Sequence, residues 1–473
     1  MLVKMLSSLR DNKFIIFILL SGFFYSNLVG YNYIAKYDIN KINDKSTYNT
    51  YFFEKEGGTP SFWHEAHDIS EKTKDSSYFK SGHKYEFKYL PSKIVFIYYK
   101  IVGEDIKVFD KNYNQEIFKI NNKKFGLIIL QNFLYFISIF CLILSLKINQ
   151  KNNYFIFIPL VIFLSFEPTL NQWNRVLFSE SFFFSLQLMT LAILINYDYT
   201  DYMKPIMLGV LISLMYLQRS VSIYYFSIVL IYLFIFFRKK FLINLMIISL
   251  IYLSTHLFVG FHNFKRDGSL YFLPIIQKED LYGYFVPKII KYNKDPNFSK
   301  NFEPRHTTLS NFIKSNDLIS EKDIDIKDRL IIAKNHKDKA RSLIINYPTQ
   351  SLKEYTKSLF HYLLLKPNEI YFLLENNIKY KGKFHLSKDF KEERSMKIVY
   401  SFFIYFISFL GLLYFIKNKS FKILFILMSS IFYFAAPVVW HTQSSYLAPI
   451  LIYLSIFFSA GILNFISVFR INK

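Results

Sequence analysis

Cysteine is almost missing. Cys141 is the one cysteine in 473 residues, and it lies inside an apolar run. Disulfides and a cysteine-built zinc site within one chain are thereby excluded. Acid is scarce too: 35 Asp and Glu stand against 58 Lys and Arg, a formal net charge of +23. In a soluble chain that excess would suggest nucleic acid. No basic run is interleaved with aromatic residues in the manner of single-strand binders, so nucleic acid is not an expected partner. No internal repeat is visible, and the inverted-repeat pattern of many transporters is missing. No small-x-small cleavage site follows the first apolar run, about 14–30; the bulky Tyr31-Asn32-Tyr33 stands there instead. With Lys4, Arg10 and Lys13 ahead of it, that run reads as an uncleaved signal anchor.

What is present is apolar and periodic. Hydrophobic residues make up 52% of the chain and aromatics 20%. They fall in runs close to the roughly 20 residues that cross a bilayer. The expected fold class is an all-α polytopic membrane protein with about ten transmembrane helices. Their approximate positions are 14–31, 124–146, 154–167, 176–195, 205–218, 222–237, 241–260, 397–416, 422–439 and 445–466. The third and fifth are short and fit a tilted or partly buried placement. With the N-terminus cytoplasmic, the inner segments include Lys147 to Lys151, Arg238-Lys239-Lys240, Lys417 to Lys422, and Arg470 to Lys473. All are basic, as the positive-inside bias requires, and part of the +23 is that bias. The rest reflects a composition rich together in Ile, Asn, Lys, Phe and Tyr. Both termini are then cytoplasmic, in a cell membrane.

This arrangement divides the chain into a transmembrane module over 1–260, an outer domain over 261–396 and three C-terminal spans over 397–473. The first module carries its own outer loop, 32–123. In that loop Ile94 to Val102 is too short to span, has Lys93 and Lys100 at its edges, and reads as an interfacial helix. In the outer domain, helical patterning appears at 341–345 and from Leu352 to Leu365, the latter ended by Pro367.

Ionisable residues gather at the expected outer edge. Glu65 and Asp68 lie in Trp63-His64-Glu65-Ala66-His67-Asp68, and a helix there would put both carboxylates on one face. Glu167 ends the third span, before Pro168. Arg175 begins the fourth, and Glu180 lies about one and a half turns into it. Arg219 ends the fifth span, His256 lies near the outer end of the seventh, and His441 and Tyr446 flank the start of the tenth. Each has a purely structural reading: a helix cap, a snorkelling arginine, a solvated face, an ordinary loop histidine. Their common depth is the stronger signal, because charge near hydrocarbon usually faces a cavity or a partner.

Two carboxylates and two arginines at a membrane surface suit one kind of chemistry. A carboxylate takes the proton of an attacking hydroxyl. Guanidinium groups match phosphate oxygens bidentately and stay charged. A phosphate leaving group needs such stabilisation as its negative charge develops. A phosphate carried on a lipid would be anchored and oriented by the membrane.

The order of motifs resembles the polytopic glycosyltransferases of the GT-C type. It is similar to the bacterial relatives of protein O-mannosyltransferases and of lipid A aminoarabinose transferases. The resemblance rests on Trp63 to Ser70, Tyr78-Phe79, Tyr89-Leu90-Pro91 and Val102-Gly103 in the first loop. It continues through Trp173 to Phe182, Gly209 to Arg219, His262-Asn263-Phe264 with Gly268, Asn346-Tyr347-Pro348, and Ser445-Tyr446-Leu447-Ala448-Pro449. There are departures. Glu65 stands where the family has an aspartate, so Asp68 is an alternative match. Ser445 and His262 stand where the family has arginines, and 104–123 has no counterpart.

The resemblance implies a polyprenyl-phosphate sugar as donor and a lipid, glycan or protein hydroxyl as acceptor. Glu65 or Asp68 would act as base. Arg175 and Arg219 would hold the donor phosphate, Glu180 would position Arg175 or bind sugar hydroxyls, and His441 and Tyr446 would line the donor groove. The scheme requires no metal, although His64 and Asp68 leave room for one. Two other readings remain at this stage. A surface-polysaccharide polymerase or ligase would rely on basic outer residues and would not need the acidic first loop. A transporter or flippase would need charge at mid-membrane, where these spans have almost none.

Overall fold

The computed structural model describes residues 13–36, 89–102, 122–149, 157–175, 179–198, 201–273, 281–292, 304–318, 324–365, 390–439 and 447–471. Among these residues there is no strand. The helices are α1 (Lys13–Lys36), α2 (Tyr89–Val102), α3 (Asn122–Asn149), α4 (Phe157–Phe166), α5 (Pro168–Arg175), α6 (Ser179–Ile195), α7 (Met203–Gln218) and α8 (Tyr225–Phe236). They continue as α9 (Phe241–Asp267), α10 (Val286–Tyr292), α11 (Arg305–Ser315), α12 (Ile326–Asn346), α13 (Pro348–Leu365), α14 (Phe390–Lys417), α15 (Phe421–Ala435) and α16 (Ala448–Ile471).

Among the described residues, four stretches are long and apolar enough to cross a membrane: Gly126–Lys147, Phe241–Lys265, Ile398–Lys417 and Ala448–Ile466. Six shorter apolar helices fall at the positions of the other expected spans. The long four divide into inner and outer members. Within its most apolar window the α16 stretch is 67% buried and the α9 stretch only 22%. The core therefore forms around α16, which packs against α4, α14 and α15. On α9 the stripe Leu242, Met246, Leu250, Leu253, Leu257 and Phe261 is more than half exposed at every position. Spacings of three and four put these side chains on one helix face. A contiguous apolar face of this kind is a membrane-facing surface rather than a water-facing one.

The expected third and fourth spans differ from what forms. Helix α4 stops at Phe166, and Pro168 begins the separate helix α5. Proline has no N–H to lose at the first helical position, and Glu167 caps the new turn: its Oε2 accepts from Leu170 N at 2.7 Å, and its carbonyl accepts from Asn171 N. Arg175 thus ends α5 instead of beginning the fourth span. That span starts as α6 at Ser179, which places Glu180 in its first turn.

Outside these helices, α10 to α13 make a smaller cluster. Tyr282, Val286 and Ala340 pack together, and the His336 ring stacks on Tyr282 at 4.5 Å. The expected helical stretches in this segment are present as α12 and α13. Helix α9 enters it through Gly268, whose positive φ of 68° closes the helix with an N–H to the Phe264 carbonyl. Helix α13 fastens it to the bundle, since Tyr405 of α14 donates to the Leu363 carbonyl at 3.0 Å.

Candidate functional site

The helices just described carry a run of buried polar side chains linked by hydrogen bonds. Ser26 and Asn27 come from α1, Gln131 and Asn132 from α3, Asn171 and Asn174 from α5, and all are at most 8% exposed. Ser26 donates to Asn171 Oδ1 at 2.9 Å, and Asn132 donates to Asn27 Oδ1 at 2.8 Å. Gln131 reaches the Asn174 carbonyl at 3.2 Å, and Ser181 of α6 donates to Asn174 Oδ1 at 2.7 Å. Groups buried among apolar helices must find such partners, because leaving one unmet costs about 1–3 kcal/mol. The short helix α5 is the hub. It is held by α1, α3 and α6 through two asparagines.

Next to Ser181 stands the ion pair. Arg219 Nη1 lies 2.8 Å from Glu180 Oε1, with the side chains 11% and 1% exposed. Their helix positions favour the charges they carry. Glu180 sits in the first turn of α6, where the helix end is positive, and Arg219 is the C-cap of α7, where it is negative. The guanidinium also lies over the Phe183 ring, 5.6 Å from its centre. Arg219 itself is extended (φ −147°, ψ 117°), which breaks the chain between α7 and α8. Tyrosines hold that break. Tyr433 donates to the Val221 carbonyl and Tyr252 to the Ile223 carbonyl, and Tyr224 N donates back to Tyr433 at 3.0 Å. The arginine thus projects from a backbone fixed by α9 and α15.

A second buried carboxyl group, Glu167, is 4% exposed. Besides capping α5 it accepts from Tyr400 of α14 at 3.0 Å. This bond joins the start of the hub helix to α14. Tyr400→Phe removes the donor and leaves a buried acceptor short of a partner. The expected loss is about 1–3 kcal/mol of stability, read as a lower unfolding temperature in detergent. An unchanged temperature would mean that the bond contributes nothing.

Of the residues singled out by sequence, Glu180 and Arg219 are brought together. Arg175 is placed by its backbone as the last residue of α5. Glu65, Asp68, His441 and Tyr446 lie outside the described residues, as do His64 and His67. The asparagines, glutamine and serines of the polar layer were not singled out. Gln131-Asn132 within an apolar run was the signal that could have found them. Among the described residues no three His, Cys, Asp or Glu side chains come together as a metal site. An open cleft of about 270 Å³ lies on the segment of α11 and α12, lined by Thr308, Ile332, Asn335, His336, Asp338 and Lys339. None of Glu167, Glu180 and Arg219 borders it.

Fold and site together define, among the described residues, an all-α membrane protein with a buried polar layer and the Glu180–Arg219 ion pair set among its helices. Compared with models of known families, with curated proteins and with solved structures, the chain matches none.

Proposed function

We propose that the chain is an integral membrane glycosyltransferase of GT-C type. It would transfer a sugar from a polyprenyl-phosphate donor to an acceptor hydroxyl at the outer face of a cell membrane. The reading includes about ten spans, both termini in the cytoplasm, and outer segments at 32–123 and 261–396. The observation that carries it is the ion pair of Arg219 with Glu180, at the expected outer edge and beside the hub helix that ends in Arg175. A guanidinium kept oriented by a carboxylate is suited to hold a phosphate ester as it leaves.

In this reaction the acceptor oxygen forms a bond to the anomeric carbon. The bond from that carbon to the phosphate oxygen breaks, its electron pair goes to the phosphate, and the anomeric centre inverts. Glu65 or Asp68 takes the hydroxyl proton. Arg175 and Arg219 hold the donor phosphate, Glu180 positions Arg219, and His441 and Tyr446 line the donor groove.

The test uses purified protein in liposomes with a panel of labelled polyprenyl-phosphate sugars, read as release of polyprenyl phosphate. Wild type is expected to release it with at least one donor. Glu65→Gln, Asp68→Asn and Arg219→Lys are the variants to compare. Loss in one acid variant and at least about a hundredfold loss in Arg219→Lys would fit the scheme. Full activity with both acids neutralised would sink it. No release with any donor from folded protein would favour the polymerase reading or a non-catalytic scaffold.

A further inference from the structure

Three interhelical connections meet at the ends of α6 and α7 opposite those that carry Glu180 and Arg219. Their described residues are 196–198 and 201–202 between α6 and α7, 237–240 between α8 and α9, and 418–420 between α14 and α15. Aromatic side chains join them. Tyr197 packs on Phe237 at 4.9 Å between ring centres, and Tyr232 of α8 donates to the Leu194 carbonyl at 2.9 Å. Lys422 of α15 lies over the Phe237 ring at 4.7 Å. The turns and their flanks hold Lys204, Arg238, Lys239, Lys240, Lys417, Lys419 and Lys422 against Asp198 and Asp201, seven basic residues to two acidic ones.

The cations here are seated on rings rather than on carboxylates. Besides Lys422 on Phe237, Lys240 Nζ is 5.0 Å from the Tyr202 ring centre, and Arg238 lies over Phe234 at 5.6 Å. Among the described residues, no carboxylate lies within ion-pair distance of Arg238, Lys240 or Lys422. Asp201 Oδ1 caps α7 by accepting from Met203 N. A ring face steadies an ammonium or guanidinium group without neutralising it. The charge stays available to an anion.

The surroundings select the anion's carrier. Tyr202 and Phe234 lie under Lys240 and Arg238, and these two rings and their near neighbours in sequence, Met203 and Leu242, are each more than half exposed. A free phosphate would gain nothing from such apolar surface, whereas a lipid would lay its acyl chains along it. The Tyr197 hydroxyl adds a second sign. Tyr197 is 7% exposed, and its buried oxygen has no hydrogen-bond partner among the described residues. We propose that Arg238, Lys240 and Lys422, with the aromatic rings beneath them, form a binding site for the phosphate headgroup of an anionic phospholipid. Basic positions between helices on the cytoplasmic side are suited to such headgroups. The site is independent of the transferase reading and stands or falls without it.

Purified full-length protein in neutral detergent is incubated with phosphatidylglycerol or phosphatidylcholine, and retained lipid is counted by native mass spectrometry. The expected result is a preference of about tenfold or more for phosphatidylglycerol. The triple variant Arg238→Gln, Lys240→Gln, Lys422→Gln loses it. The triple variant Lys327→Gln, Lys334→Gln, Lys337→Gln, on exposed positions of α12, keeps it and controls for net charge. Equal retention of both lipids by wild type, or equal loss in both triple variants, would show only diffuse attraction and overturn the site. Millimolar glycerol phosphate is the last arm. Full displacement of the lipid by it would mean that phosphate alone is recognised, and the lipid assignment would fail.

Discussion

Arg219→Ala is expected to lower stability by about 3–5 kcal/mol, because it leaves a buried carboxylate without its partner. The two halves of the pair should not be equivalent. Glu180 is 1% exposed and Arg219 11%, so the carboxylate is the charge with less access to water. Glu180→Ala strands a guanidinium nearer the surface, still above the Phe183 ring, and should cost less. Removing both charges, as Glu180→Gln with Arg219→Met, should recover most of the loss. A paired buried ion often gives little net stability over an uncharged pair of similar size. Unfolding temperatures of the three variants in one detergent provide the check. If the double variant is as unstable as Arg219→Ala, the loss comes from the missing pair itself and not from a stranded carboxylate. Arg219→Lys separates folding from function. It keeps the charge beside Glu180, so most of the stability should remain, but it lacks the planar fork that matches phosphate. Folded protein with lost transfer is the expected outcome for that variant.

The positions of the apolar helices were legible because hydrophobic runs report burial in any apolar medium, whether lipid or protein. Where a run is interrupted, the sequence was less plain. Trp173 to Phe182 reads as one helix start, yet α5 ends at Arg175 and α6 begins at Ser179. Pro168 marks the true new start, and its meaning depends on Glu167 turning back to cap Leu170 N. Glu180 and Arg219 were among the charged residues grouped by expected depth, and the structure brings the two together. Depth alone did not say that these two would meet. Glu180 and Arg219 lie 39 residues apart by residue number, and the structure brings them within 2.8 Å of each other. Such a pairing is made by helix packing, since α6 and α7 lie side by side.

The polar layer was missed for a related reason. An asparagine in an apolar run is ambiguous until its partner is known, and Asn27 and Asn132 are 105 residues apart. Glu167 and Tyr400, separated by 233 residues, make the same point. Buried polar groups are specified pairwise, whereas apolar periodicity is written within each helix. Sequence therefore shows elements better than it shows the bonds between them.

The same contrast governs the glycines, and it leads to the other large expected effect. Helices α14 and α16 cross at Gly411 and Gly461. A Cβ on Gly411 would overlap the Phe457 carbonyl, and one on Gly461 would overlap the Ile407 carbonyl. Mid-helix glycine costs about 1 kcal/mol relative to alanine, so its presence on both sides of one crossing points to close backbone approach. Between membrane helices such approach supplies packing that lipid cannot. Because the obstruction is backbone, neither helix can yield without separating from the other. Gly411→Ala and Gly461→Ala should each exceed the usual overpacking loss of about 1–3 kcal/mol, and Gly411→Leu should abolish the folded protein. Gly209→Ala is the comparison. There the added carbon meets Ile251 Cδ1 at 3.0 Å and Ile251 Cβ at 3.1 Å, side-chain contacts that need to give by only a few tenths of an ångström, while the helix gains alanine's propensity. That variant should stay close to wild type. Unfolding temperature and monodispersity in detergent distinguish the two cases. If Gly411→Ala behaves like Gly209→Ala, the helices do not approach this closely, and the central place of α16 in the bundle would have to be redrawn.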